Sequence, residues 1–366
     1  MIESKLKSIN GADVKYMEIG GRKVVETTGN MQEEYQALRE GMMFYDCSTY
    51  GMLTVSGADA DDFLEKISTK DIQYLNVGNV SECYFLNDDA AVIGSVFVLR
   101  REDDFFVIVP WEQADAVKEW LEKQADGEDV IIQDIQGTKA LTQIEGPQSW
   151  KVIKKIFDIE VENIALRSSE VTEWNGEEIT IIRIGRSSEY GYMMLSSFEK
   201  AEELFQAYNK EEWDFPVKQG GFEALELSIL EVHQPNFLRE TSKYGNVFEL
   251  AQQWYIQFDK EDYVGYEKLM EQFHAGITKT AVGFTAEKAS DIASDAKVYV
   301  DDECIGTVVY AKDSFKLGKK LGIAVLNKPY AVSGLKLSVK TADGTKEMET
   351  ISGPFLRPLS WDMKME

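Results

Sequence analysis

The chain has 366 residues, 44% of them hydrophobic and 28% charged, which is enough for two to three domains with a large buried core. This composition excludes a disordered chain, a collagen and a coiled coil. Lys and Arg number 39 against 64 Asp and Glu, a formal net charge of −25. That charge disfavours nucleic acid and anionic membranes as partners. No apolar run is long enough to span a bilayer and no secretory signal is evident, so we expect a cytoplasmic protein.

The cysteines and histidines are few. The chain has three cysteines without a CxxC spacing and two histidines, His233 and His274. This pattern predicts neither a disulfide framework nor a metal site, and it fits a reduced compartment.

The predicted elements in the first half of the chain repeat one arrangement. Helical spacing alternates with short runs of β-branched and aromatic residues. The first set is a helix over 31–41, a strand over 51–56, a helix over 57–68, strands over 83–86, 91–100 and 104–109, and a helix over 112–123. The second set is a strand over 140–144, a helix over 147–157, strands over 178–183 and 191–195, and a helix over 198–210. Two such sets predict two α+β modules with antiparallel sheets of the ferredoxin-like kind.

The pattern changes after about residue 280. Five short strands separated by turns are predicted there, over 282–284, 297–300, 306–310, 321–326 and 335–339. They predict a small antiparallel β-barrel. The expected domains are therefore an N-terminal module over 1–138, a second α+β module over 139–279 and a C-terminal barrel over 280–366.

Several common catalytic motifs are absent from the sequence. It has no P-loop, no GxGxxG, no HExxH and no GxSxG. This disfavours P-loop kinases, Rossmann dehydrogenases, zinc proteases and α/β hydrolases.

Four short segments carry a more specific signal. They read FYDCS at 44–48 with VSGADA at 55–60, IEGPQ at 144–148, RIGRSSEYGY at 183–192 and FDKEDYVGYE at 258–267. Together and in this order they resemble the glycine-cleavage T-protein family, which comprises tetrahydrofolate-dependent aminomethyltransferases and folate-dependent demethylases. The resemblance implies three modules in a cloverleaf around a folate channel, and tetrahydrofolate as the cofactor.

The resemblance also implies cofactor-binding residues. Glu189 matches the glutamate that binds the pterin, because a carboxylate can accept two N–H donors from an aminopyrimidine edge. Arg183 and Tyr192 flank it in the same segment. Tyr84 and Trp111 lie in or beside matched segments and are candidates for contact with the folate or with the donor.

The departures from the family pattern concern the reaction. The family carries acidic residues near the reactive folate nitrogen, where this chain has Gly94 and Ser95. The family tyrosine three residues before the pterin glutamate is Arg186 here. Methyl transfer from a sulfonium or ammonium donor needs alignment rather than a proton donor. Ser95, at the position of the missing acid, is one candidate catalytic residue. An aryl methyl ether donor would need an acid for its phenolate, and His233, which follows the matched Glu231, is the second candidate.

These observations predict a tetrahydrofolate-dependent methyltransferase that demethylates a small methylated substrate. One alternative is the aminomethyltransferase of glycine cleavage. The −25 charge argues against an acidic lipoyl carrier protein as a partner. Another alternative is a non-catalytic folate-binding protein, although the Cys-containing motif of that branch is missing from residues 262–267.

Overall fold

The computed structural model describes residues 1–7 and 13–365. The helices are α1 (Met31–Glu40), α2 (Ala60–Ile67), α3 (Ala114–Gln124), α4 (Ser149–Phe157), α5 (Phe198–Lys210), α6 (Phe222–Glu231) and α7 (Tyr266–Ala275). The strands are β1 (Lys15–Ile19), β2 (Arg22–Thr27), β3 (Met42–Asp46), β4 (Gly51–Ser56), β5 (Val80–Leu86), β6 (Val92–Arg100), β7 (Phe105–Val109), β8 (Ile131–Asp134), β9 (Ala140–Glu145), β10 (Ser169–Trp174), β11 (Glu177–Ile182), β12 (Gly191–Ser196), β13 (Val217–Gln219), β14 (Lys279–Ala286), β15 (Lys297–Val300), β16 (Glu303–Asp313), β17 (Lys320–Asn327), β18 (Lys336–Thr341) and β19 (Gly344–Ile351).

The first sheet has five antiparallel strands in the order β5-β6-β7-β4-β8. Side chains alternate between the two faces of a strand. Phe85 and Val96 accordingly pack in one core with Phe63 of α2 and Val117 of α3. Tyr84 and Ser95, which are register partners on β5 and β6, lie on the opposite face.

The second sheet has six strands in the order β10-β11-β12-β9-β3-β13. Its strand β3 comes from the N-terminal part of the chain and pairs antiparallel with β9 and parallel with β13. Helices α4 and α5 contribute to the core on one face of this sheet, while α1 and α6 share the core on the other. Strand β3 lies in the predicted module 1–138 but pairs with strands of the predicted module 139–279. The predicted domain boundaries stay a prediction.

The C-terminal sheet is a closed barrel in the strand order β14-β17-β16-β15-β18-β19. The predicted mixed α+β architecture with a terminal barrel is confirmed. The Ser314 hydroxyl donates to the Glu231 carboxylate at the end of α6 (2.7 Å), which ties the barrel to the rest of the chain. Among residues 1–7 and 13–365, no helix is both long and apolar enough to span a bilayer.

Two irregular segments complete the centre. The stretch 232–265 joins α6 to α7, and its Phe237 and Tyr255 pack with Tyr84 of the first sheet. The C-terminal stretch 356–365 runs back to the second sheet, where the Tyr190 hydroxyl donates to the Met363 carbonyl oxygen (2.7 Å). Both segments border the cavities described next.

Candidate folate and donor site

A cavity of about 520 Å³ lies where the two α+β sheets meet the two irregular segments. We call it the central cavity. The side chains that define it are Glu82, Arg186, Glu189, Trp254, Tyr255 and Trp361. Its volume lies within the usual range for sites that hold a small organic ligand.

Glu189 lines this cavity, but its carboxylate already has several donors. Oε1 accepts from the Arg39 guanidinium (3.3 Å) and from the Leu359 backbone N–H (3.3 Å). Oε2 accepts from the Ser360 backbone N–H (3.0 Å) and from the Ser360 hydroxyl (2.6 Å). A carboxylate offers about four acceptor sites, so the C-terminal segment and Arg39 together occupy them.

Arg39 on α1 joins Glu189 to a second buried carboxylate. Its Nη2 lies 3.0 Å from Glu231 Oε2, and it also donates to the Ser228 carbonyl oxygen (2.8 Å). Glu231 accepts in turn from the Tyr35 hydroxyl (2.8 Å). Buried charges are tolerated when they are paired and hydrogen-bonded in this way.

Gly185 and Gly191 pack closely against each other next to Glu189. A Cβ built on Gly191 would come within 2.8 Å of both Gly185 Cα and the Ile184 carbonyl oxygen, so a side chain at this position would collide with the neighbouring backbone. The amide oxygen of Gln143 is buried close by without a hydrogen-bond partner. The two glycines therefore let the backbone at 184–185 pack directly against the start of β12.

Arg183 and Tyr192 occupy different environments. The Arg183 side chain lines the central cavity, donates to the Ile164 carbonyl oxygen (2.6 Å) and lies over the Tyr190 ring. Tyr192 is fully buried in the core between the second sheet and α4 and α5, away from the residues that line the cavity.

The two aromatic candidates, Tyr84 and Trp111, lie in different environments. Tyr84 stacks on Tyr255 with ring centroids 4.4 Å apart, and Trp254 stacks on the same Tyr255 from 3.7 Å. Trp254 is 38% exposed. Trp111 instead donates its indole N–H to the Thr49 hydroxyl (2.9 Å) inside the hydrophobic core.

Ser95 and Gly94 point to opposite faces of β6. A Cβ on Gly94 would lie 2.2 Å from Val117 Cγ2 of α3, so this position has no room for an acidic side chain. Ser95 is buried on the central face, and its backbone N–H donates to the Gln113 side chain (2.8 Å). Of the two positions, only Ser95 faces the centre of the molecule.

His233 lies at the barrel. Its ring fits where the Cβ atoms of Gly283 and Gly353 would be, and it contacts the Phe355 ring with centroids 4.4 Å apart. Burial lowers the pKa of His233 to about 4, so the imidazole is neutral at pH 7 and cannot act there as a cationic acid. It borders a small cavity of about 80 Å³ together with Glu240.

Glu240 is a buried carboxyl group that sequence reasoning missed. It lines a second cavity of about 590 Å³, which we call the lateral cavity, together with Glu112, Gln113 and Gln252. Its Oε1 accepts from the Asn236 backbone N–H (2.8 Å). Burial raises the pKa of Glu240 to about 7, against the opposing effect of that N–H and of the Arg186 charge. A group with this pKa can both give and take a proton near neutral pH.

Arg186 lines the central cavity, and its charge acts on Glu112 and Glu240 of the lateral cavity. Its Nη2 donates to the Pro235 carbonyl oxygen (3.1 Å), and its guanidinium carbon lies 5.7 Å from the Phe237 ring centroid. Burial opposes its charge, but Tyr50 and Glu112 raise the pKa of Arg186, so the side chain is a cation.

Within residues 1–7 and 13–365, no group of three or more His, Cys, Asp or Glu side chains is arranged to hold a metal ion. The site offers carboxylates, arginines and aromatic rings.

The chain matches two family models that together cover most of its length. Residues 14–260 match the GCVT N-terminal domain, and residues 279–356 match the glycine cleavage T-protein C-terminal barrel domain. The chain belongs to the glycine-cleavage T-protein family. The aminomethyltransferases of this family use tetrahydrofolate as the acceptor of the one-carbon unit, and tetrahydrofolate is the cofactor of this chain.

Relatives and a solved structure agree with this membership. An aminomethyltransferase from Clostridium botulinum strain 657 is 26% identical to this chain, over 92% of this chain and 93% of the relative. An aminomethyltransferase from Listeria welshimeri is 23% identical, over 94% of each chain. The crystal structure of aminomethyltransferase T of the glycine cleavage system from Bartonella henselae superposes with a TM-score of 0.85 at 19% identity, over 95% of each chain. At that identity the superposition shows the fold.

The residues of the central cavity fit a folate in most respects. Its volume suits a planar pterin, and its lining includes the aromatic side chains of Trp254, Tyr255 and Trp361. Glu189 suits the aminopyrimidine edge by chemistry, but a pterin must take over the positions of Leu359 and Ser360 to reach it. The roles of the predicted site residues stay predictions.

Proposed function

We propose that this chain transfers a one-carbon unit to tetrahydrofolate, and that the unit arrives as an aminomethyl group. The support is the family match across both domains, together with the buried Glu240 carboxyl that lines the lateral cavity. The sequence offers two arguments against aminomethyl transfer, the lack of an acid at Gly94 and Ser95 and the net charge of −25. Glu240 supplies an acid from a different part of the chain.

Each part of the site has a distinct task in this proposal. The segment from Arg183 to Gly191, with Glu189, holds the pterin, and Tyr255 and Trp254 border the same cavity. Bound tetrahydrofolate supplies the nitrogen that accepts the carbon. Forming methylenetetrahydrofolate breaks both the carbon–nitrogen and the carbon–sulfur bond of an aminomethyl-lipoyl donor, and the two folate N–H protons end on the released ammonia and thiol. Glu240 gives a proton to the departing amine and later takes one back from the folate nitrogen, which a carboxyl with a pKa of about 7 can do at neutral pH.

A second candidate function is demethylation of a small methylated substrate. One observation favours it. Of Gly94 and Ser95, only Ser95 faces the centre of the molecule, and Ser95 is not an acid. A sulfonium or ammonium donor releases a neutral group and needs no proton at that point.

The product distinguishes the two functions. Tetrahydrofolate is incubated with the protein and either an aminomethyl-lipoyl carrier protein or methylated sulfonium, ammonium and aryl ether compounds, and the folate products are identified by mass spectrometry. We expect methylenetetrahydrofolate from the aminomethyl donor. 5-Methyltetrahydrofolate from a methylated donor instead supports the second candidate. Tetrahydrofolate binding without either product supports a non-catalytic folate-binding protein and contradicts both.

A further inference from the structure

Gln252 is a buried amide that lines the lateral cavity. It is only 3% exposed, and its Oε1 accepts a hydrogen bond from the Tyr84 hydroxyl (2.8 Å). A buried O–H group needs an acceptor, so this bond fixes which way the amide faces. The amide nitrogen Nε2 is buried as well, but it has no hydrogen-bond partner within residues 1–7 and 13–365. Gln252 therefore keeps a donor for a further hydrogen bond.

That donor acts on Glu240, which lines the same cavity and is 9% exposed. Burial raises the pKa of Glu240, whereas the Asn236 backbone N–H and the Gln252 side chain both lower it through hydrogen bonding. The bond from the Asn236 N–H reaches Oε1 (2.8 Å). Hydrogen bonds from N–H donors stabilise a carboxylate more than a neutral carboxyl group. Gln252 is therefore placed to serve the ionised form of Glu240.

The titratable groups around Glu240 act on it in other ways. Arg186 acts through its charge. Burial and the Glu240 charge raise the pKa of Tyr84 and of Tyr310 well above its usual value, so both phenols are neutral near pH 7. The other titratable groups that line a cavity with Glu240 are Asp89, Glu112, Glu249, Lys279 and His233. A substitution of Gln252 leaves all of these groups in place.

The proposed reaction ionises Glu240 each time this residue gives a proton to the departing amine. The carboxylate is then left in surroundings where burial disfavours a charge. A donor whose orientation is already fixed stabilises that charge without rearrangement. It also keeps the pKa of the acid close to the working pH, where proton transfer in both directions is efficient.

We propose that Gln252 is a positioning residue for Glu240, with its N–H binding the ionised carboxylate and Tyr84 holding the amide in the orientation that this requires. The inference rests on the proposed role of Glu240 in aminomethyl transfer. Tyr84 is fully buried and lines neither the central nor the lateral cavity. Its part in the site is therefore to hold Gln252 and not to contact the folate or the donor.

The test measures the acid dissociation constant of Glu240 in wild type, Gln252→Met, Tyr84→Phe and a control, Tyr310→Phe. Glutamate carboxyl carbons are labelled with carbon-13, and the NMR signal of Glu240 is the one that is missing from Glu240→Gln. Tyr310→Phe is matched to Tyr84→Phe, because Tyr310 is also buried and coupled to Glu240 but its hydroxyl does not bond to Gln252. The pH profile of methylenetetrahydrofolate formation is recorded for the same four proteins.

We expect Gln252→Met to lower the acid dissociation constant of Glu240 about tenfold, because the carboxylate loses a hydrogen bond. Tyr84→Phe should lower it about threefold, since the amide remains but can turn away. Tyr310→Phe should leave it within about twofold of wild type. The limb of the pH profile that requires protonated Glu240 should move to higher pH by the same factors. A purely structural role would lower the rate without moving the profile.

Three results overturn the proposal. One is Gln252→Met with an unchanged constant for Glu240, and another is Tyr310→Phe that lowers the constant as much as Tyr84→Phe does. The third is a pH profile that stays in place while the constant moves. If Gln252→Met does not fold, the comparison of Tyr84→Phe with Tyr310→Phe decides, since each removes one buried hydroxyl. Failure of the proposed function is a separate result, in which wild type forms no methylenetetrahydrofolate at any pH while the NMR titration still decides whether Gln252 acts on Glu240.

Discussion

Glu240→Gln provides a direct test of the buried acid. The folded protein keeps a proton on Glu240 up to about pH 7, whereas the ordinary pKa of this group is 4.5. Between these values the folded state binds a proton that the unfolded state has released, so this group lowers the free energy of unfolding as the pH rises. Each unit of pKa shift corresponds to about 1.4 kcal/mol. Ionised Glu240 should therefore destabilise the fold by about 3 kcal/mol above pH 7.

Glutamine imitates the protonated carboxyl and can keep the hydrogen bond from the Asn236 N–H. The charged or titratable groups that act on Glu240 or respond to its charge are Arg186, Tyr84 and Tyr310, and all three are retained in the variant. We expect Glu240→Gln to match wild type near pH 4.5 and to exceed its stability by about 3 kcal/mol above pH 7.

Urea unfolding at pH 5, 6, 7 and 8 measures this difference, and other titrating groups cancel when the two proteins are subtracted. Glu173→Gln, an exposed glutamate on β10, is the matched control and should show no such trend. If the free energies of unfolding of Glu240→Gln and wild type differ by the same small amount at pH 5 and at pH 8, the burial argument is wrong.

Two further variants test the pterin seat and its support. Glu189→Gln should weaken tetrahydrofolate binding by about 1–3 kcal/mol, the effect of losing a charged hydrogen bond, and calorimetry with an unchanged dissociation constant would count against Glu189. Arg39→Met leaves the carboxylates of Glu189 and Glu231 buried without their shared cation. It should lower the free energy of unfolding by about 3–5 kcal/mol in urea. Adding Glu231→Gln should restore part of that loss, whereas strictly additive effects would show that the pair is not coupled.

The sequence by itself predicted the architecture, which is confirmed, and a position for the folate seat along the chain, which stays a prediction. The short strands and turns after residue 280 predicted the barrel. A strand's alternating pattern and the turn that ends it can both be recognised from neighbouring residues. The segment from Arg183 to Tyr192 marked Glu189, because its residue types lie next to one another in the chain. Such signals survive in a single sequence because each depends on near neighbours.

Only the tertiary structure showed which distant residues meet. Arg39 and Glu189 are 150 positions apart, and β3 joins a sheet made mostly of strands that follow it by about a hundred residues. It also distinguished Gly94, which is closed off by Val117, from Ser95, which faces the centre. The meeting of Arg186 with the segment that carries Glu240 has the same origin. A residue's charge environment depends on the path of the whole chain, and no local spacing records that path.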